Sequence, residues 1–169
     1  MKRGGFTLVE LMLVLLILAI AAAAVTVRAQ GSLRGARMNE VLSAFRDFDR
    51  TTRAAARNQD RPFRLVVSLS GGTIARADGE GRLIRGQVMS LPSDIRFDRL
   101  LVRRQDCRDG DVTISCSRKG FTPTYAVLLK SSGRSQWLVV AGLTGDMLLV
   151  ADEKQARNIL EAGGGNDAG

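Results

Sequence analysis

Between residues 6 and 27 the only charged side chain is Glu10, and that otherwise apolar run opens directly after Lys2, Arg3, Gly4 and Gly5. An ionised carboxylate near the start of so apolar a helix costs on the order of 2 to 3 kcal/mol on membrane-insertion scales, so it must lie at an interface, carry a proton or meet a cation. Hydrolysis between Gly5 and Phe6 would create the cation. The freed α-amine of Phe6 lies at the depth of Glu10, and a neighbouring copy shifted along an assembly could bring its amine to that carboxylate. The alternative is that Glu10 snorkels toward the cytoplasmic headgroups. Either way the chemistry at this end is done to the chain, not by it.

Catalysis by the chain itself has little to work with. The sequence contains no histidine, which removes the commonest general base and transition-metal ligand together. Ser68, Ser70 and Ser115 therefore have no imidazole to activate them, and Lys130 and Ser131 are adjacent, so on a strand they point to opposite sides. No catalytic residue, cofactor or metal is expected. Cys107 and Cys116 flank the turn-forming Asp109-Gly110-Asp111, an arrangement that predicts a disulfide across a hairpin-like loop in an oxidising compartment, with two reduced thiols as the alternative. Zinc would find two thiolates and a half-empty tetrahedral shell.

The elements that position these groups follow from periodicity. About 20 apolar residues at about 1.5 Å per residue cover a bilayer's hydrocarbon layer, so residues 6–27 are expected to form a transmembrane helix. Lys2 and Arg3 place its start on the cytoplasmic side and the rest of the chain across the membrane. The helical pattern continues through Met38, Val41, Leu42, Phe45, Phe48, Thr52 and Ala55, an amphipathic stretch over 28–61 that should pack on a domain. Gly31 and Gly35 between the two parts predict a bend or local melting, and Asn58 and Pro62 end the run.

From residue 62 the pattern changes to short apolar runs separated by Gly, Asp, Ser and Pro, predicting strands at 63–69, 73–77, 82–84, 87–91, 95–103, 112–117, 125–129, 136–141 and 147–150. Hairpins should dominate. Tyr125, Val127 and Leu129, like Val112, Ile114 and Cys116, alternate onto a buried face, with Thr113, Ser115 and Lys130 outward. The fold class is α+β: a long N-terminal helix against two antiparallel sheets over 62–151. A short helix capped by Asp152 and a flexible tail then fill 152–169.

The chain is strongly basic, with formal charge +8, and setting aside Lys2, Arg3 and Glu10 leaves the part after the apolar run basic as well. Arg46, Arg50, Arg53 and Arg57 form a stripe on the helix, about 120° from its apolar face at the helix's roughly 100° per residue. Arg103, Arg104, Arg118, Lys119, Lys130 and Arg134 are candidate anion contacts further on, for which nucleic-acid binding and solvation are the competing readings.

The series Lys2-Arg3-Gly4-Gly5-Phe6-Thr7-Leu8-Val9-Glu10 resembles the class III signal of type IV prepilins and type II secretion pseudopilins. That resemblance implies a pilin-like fold, a leader of residues 1–5 removed by a prepilin peptidase, N-methylation of Phe6, and pairing of Glu10 with the Phe6 amine of a neighbour. It also implies an inner-membrane subunit with a periplasmic domain, whose partners are other pseudopilins or minor pilins and an inner-membrane assembly platform. The helix end Arg53-Ala54-Ala55-Ala56-Arg57, the strand Phe63-Arg64-Leu65-Val66-Val67, the Leu91-Pro92 turn, and Trp137-Leu138-Val139-Val140 followed by Leu143-Thr144-Gly145 look like the GspH/FimT-type minor pseudopilins. Asp146 departs from that pattern, in which Arg is common. The function implied is structural, in a protein-secreting pseudopilus, with a FimT-like DNA-uptake pilin as the alternative.

Overall fold

The computed structural model describes the backbone of residues 8–103, 105–131 and 134–163, and the side chains of all of these except 21–34. The chain divides into two compact units, Met1–Glu40 and Val41–Gly169. A single helix, α1 (Leu8–Asn58), contributes to both. The local melting expected near Gly31 and Gly35 does not occur: the backbone there is helical. Each glycine costs only about 1 kcal/mol in a helix interior, and propagation from the bonded turns on either side offsets that.

In the first unit Leu8, Met12, Leu15, Leu16 and Ile20 are all more than half exposed. Such a continuous apolar surface calls for lipid or partner helices around it. Among the described residues no helix is long and apolar enough to cross a membrane. Of the run 6–27 expected to do so, residues 6 and 7 and the side chains from 21 onward lie outside the described residues.

The second unit opens with the amphipathic part of α1, which buries Val41, Phe45, Thr52 and Ala56, with Leu42, Phe48 and Ala55 half-buried at the margins. The face is the one the period predicts, but Asp49 and Arg53 sit in the middle of it. Strands β1 (Phe63–Ser68), β2 (Thr73–Asp78), β3 (Leu83–Ser90), β4 (Ile95–Val102), β5 (Gln105–Cys107), β6 (Asp111–Cys116), β7 (Tyr125–Ser131), β8 (Arg134–Val140) and β9 (Met147–Val150) follow, and then α2 (Glu153–Gly163). They form two antiparallel sheets, in the orders β3-β2-β1-β6 and β5-β4-β7-β8-β9. The chain leaves the first sheet after β3, makes β4 and β5, returns to set β6 beside β1, and crosses again to set β7 beside β4.

Phe63, Leu65 and Val67 of β1 and Val112, Ile114 and Cys116 of β6 supply one buried face of the first sheet, with Thr113 and Ser115 exposed as alternation requires. In β7 alternation does not separate inside from outside: Tyr125, Ala126 and Val127 are all inaccessible. The reason is α2, whose Ala156 and Leu160 pack with Ala126, Trp137, Val139 and Val150 and cover the second face of that sheet. Asp152 caps this helix, its carboxylate accepting the Gln155 N–H at 2.7 Å. The runs expected at 82–84 and 87–91 are one strand, β3, carried through Gly86 at φ +76° opposite a register shift between Ala75 and Ala77.

Candidate functional site

Glu10 stands in the first turn of α1 with its side chain exposed. Gly5 and Phe6, the expected cleavage and methylation positions, lie outside the described residues.

The most tightly bonded polar group of the second unit is Arg53. Its Nε donates to Asp49 Oδ2 at 2.6 Å, one terminal nitrogen donates to the carbonyls of Gly120 (3.1 Å) and Gly142 (2.7 Å), and the other donates to Thr122 Oγ1 at 2.7 Å. The Tyr125 hydroxyl donates to the remaining Asp49 oxygen at 3.3 Å. Burial pushes the Asp49 carboxyl above its usual range while Arg53 pulls it back, and burial pushes the Tyr125 phenol well up. One guanidinium thus ties α1 to the loop after β6 and the loop after β8. Arg53 is therefore not a member of an exposed stripe: only Arg46, Arg50 and Arg57 of that set face solvent. Nothing in a spacing of three and four distinguishes the buried arginine from the others.

Arg76 of β2 is a second buried arginine, with Nε and a terminal nitrogen donating to Thr52 and Thr51 Oγ1, both at 3.0 Å, and with its guanidinium 5.7 Å from the Phe48 ring centroid. Neither Asp49 nor Arg76 could be picked out as structural from residue type alone.

The exposed arginines line a groove of about 480 Å³ between α1 and the turn leading into β9, with Thr144, Gly145, Asp146 and Met147 on the opposite side. The other basic residues do not converge. Arg103 follows the end of β4 paired with Tyr125, whereas Lys130 and Arg134 sit at the opposite end of the sheet beside Ile95. Arg118 and Lys119 are exposed in the turn after β6, and Arg104 lies outside the described residues. Lys130 is held by Asp98 at 3.1 Å. With Arg134 and Arg96 it lines a second groove of about 510 Å³.

The expected Cys107–Cys116 bridge is not formed, and both thiols are free. The loop between them is no hairpin: Cys107 pairs with Leu100 at one edge of the five-stranded sheet, and Cys116 pairs with Phe63 at one edge of the other. Cys116 is sealed against Ala56 and Phe63, and burial raises its thiol pKa. Among the described residues no cluster of His, Cys, Asp or Glu could hold a metal ion.

The model of the prokaryotic N-terminal methylation motif matches residues 1–26. Two solved structures of the minor pseudopilin EpsH from the type II secretion system of Vibrio cholerae share the fold. One has 9% sequence identity and a TM-score of 0.50 over 67% of this chain and 95% of the solved EpsH chain; the other has 8% and 0.50 over 64% and 92%. No curated protein matches the chain significantly. The fold is type IV pilin-like: behind a methylation motif at the N-terminus, a long helix leads into antiparallel sheets. More narrowly, that fold is similar to the one solved for the minor pseudopilin EpsH.

Proposed function

We propose that this chain is a structural minor pseudopilin of a type II secretion system, of the GspH/FimT kind. It is made as a single-pass inner-membrane precursor with its C-terminal domain in the periplasm, cut between Gly5 and Phe6 by a prepilin peptidase and N-methylated at Phe6. An assembly platform then builds it, with other pseudopilins, into a periplasmic pseudopilus for protein export. The observation that carries this reading is the motif over residues 1–26 joined to a helix that continues without a break into a two-sheet domain. The exposed apolar side chains near the start of α1 suit storage in lipid and, later, packing among subunit helices. Glu10 is the acid that a neighbour's Phe6 amine would neutralise. The DNA-uptake alternative has less support, because Arg103 stands at the opposite end of the second sheet from Lys130 and Arg134, and one arginine of the helical stripe is committed to Asp49.

The test is co-expression with a prepilin peptidase, comparing the wild type with Gly5→Leu. The wild type should migrate as the shorter form and begin with methylated Phe6 by mass spectrometry, while Gly5→Leu should keep its leader. Equal mobility of the two, with an intact N-terminus on the wild type, defeats the reading.

A further inference from the structure

Strand β9 is the outermost strand of its sheet, bonded to β8 on one side only, so its other side offers backbone N–H and C=O groups. Its first residue, Met147, lines the groove whose far wall carries the exposed guanidinia of Arg46, Arg50 and Arg57. We propose that this groove is a docking site for an extended acidic segment of a partner polypeptide, laid along β9. The inference goes beyond the filament reading, since it requires no processing at Gly5.

Three observations fix the chemistry of the occupant. The first is charge. Arg53 is spent on Asp49 inside the domain, leaving Arg46, Arg50 and Arg57 against the lone exposed carboxylate of Asp146 among the lining residues. The second is reach. Arg46 and Arg57 are separated by about 16 Å along the helix axis, which an extended chain of about five residues spans. Carboxylates on alternate residues of such a segment could therefore meet successive arginines. The third is apolar surface. Register pairs Met147 with Val140 and Leu149 with Leu138, so Met147 and Leu149 share a strand face, and Leu149 is 42% exposed with Met147 lining the groove itself. Main-chain bonding to a sheet edge supplies affinity while alternate side chains supply selectivity. A nucleic-acid backbone would gain nothing from the β9 edge or from Leu149, so the polypeptide is favoured.

The test uses the full chain in detergent micelles and a fluorescein-labelled peptide of alternating Glu and Val, with binding followed by anisotropy. A Lys-Val peptide and a labelled oligothymidylate serve as competing probes. The Glu-Val peptide should bind the wild type, weaken about tenfold or more in Arg46→Glu/Arg50→Glu, and stay within about twofold in the charge-matched Arg118→Glu/Lys119→Glu. Arg46→Gln/Arg50→Gln, which adds no new charge to the helix, should show a smaller loss at an unchanged melting temperature. Absence of binding to the wild type, an equal loss in both charge-reversed variants, or oligothymidylate binding that outcompetes the peptide and depends on Arg46 and Arg50 would each overturn the proposal.

Discussion

Asp49 and Arg53 stand one helical turn apart, 2% and 4% exposed, and the 2.6 Å contact between them is sealed inside the domain. Two buried charges are stabilising only when every remaining donor and acceptor is used. Here the guanidinium reaches two carbonyls and a hydroxyl on two different loops, and Tyr125 takes the second carboxylate oxygen. The pair therefore fixes where α1 lies relative to the loops that border the arginine-lined groove.

Removing the cation strands Asp49 in a site whose burial already disfavours its charge. Arg53→Ala should destabilise the domain by about 3 to 5 kcal/mol. Arg53→Lys should recover little, because an ammonium lacks the planar fork that meets Asp49 and the loop acceptors together. Asp49→Leu combined with Arg53→Met should be far milder than Arg53→Ala, since no unpaired charge is left. Urea titrations of the four proteins check this, and a full rescue by Arg53→Lys would show the fork geometry to be irrelevant.

Gly142 supplies one of the carbonyls that Arg53 uses, and a Cβ there would lie 2.1 Å from the Thr122 carbonyl oxygen, with backbone atoms of Pro123 and Thr124 at 2.8 Å. No side chain can swing away to relieve it. Gly142→Ala should lower stability by about 1 to 3 kcal/mol, as overpacking does. Gly86→Ala makes a useful contrast: its Cβ would meet nothing, so its loss should reflect only the positive φ of that position. Thermal melts of the two variants separate the mechanisms, and equal losses would contradict the close-approach account.

The parts of the fold that sequence made legible are those set by local period and local caps: the buried face of α1, the alternation in β6, the Asp152 cap. Pairing between distant strands was not among them. β1 with β6 and β4 with β7 join runs far apart in the chain, and register over such separations depends on the whole core. β5, three residues with little apolar pattern, exists because β4 offers it an edge. Arg53 reads as one of four similarly spaced arginines, and only burial by the loops after β6 and β8 sets it apart. The Asp109-Gly110-Asp111 turn suggested a hairpin, yet the chain uses it to cross between sheets.

That crossing makes a firm prediction about the thiols. Unreduced protein should have the intact mass of the dithiol. Cys107, half-buried at the end of β5, should react with iodoacetamide in the folded chain, whereas Cys116, inaccessible and with its thiolate disfavoured by burial, should react only after unfolding. Peptide mapping after labelling checks both statements. A mass lighter by a pair of hydrogens, or labelling of both positions at the same rate, would contradict the separation of β5 and β6 onto different sheets.

A second charged network, on the surface, holds α2 in place. Arg99 Nε donates to Asp106 at 2.6 Å and a terminal nitrogen donates to Glu153 at 2.6 Å. Arg157 completes the ring to Asp106 at 2.9 Å and to Glu153 at 2.8 Å. The hydrogen bond from Arg99 is the largest influence pulling the Asp106 pKa down to about 2, with Arg157 adding to it. Asp106 is ordinarily half protonated near pH 4 when unfolded, so above that pH its contribution to stability is complete. As pH falls toward 2 the unfolded chain takes up the proton first, and the contribution disappears. Because these side chains remain partly exposed, solvent screening reduces the effect to about 1 kcal/mol. Asp106→Asn should therefore be less stable than the wild type by about that amount at neutral pH, with the gap closing between about pH 4 and about pH 2. Urea midpoints of both proteins across that range check it. A gap that persists at the acid end would mean that Asp106 acts through packing, not charge.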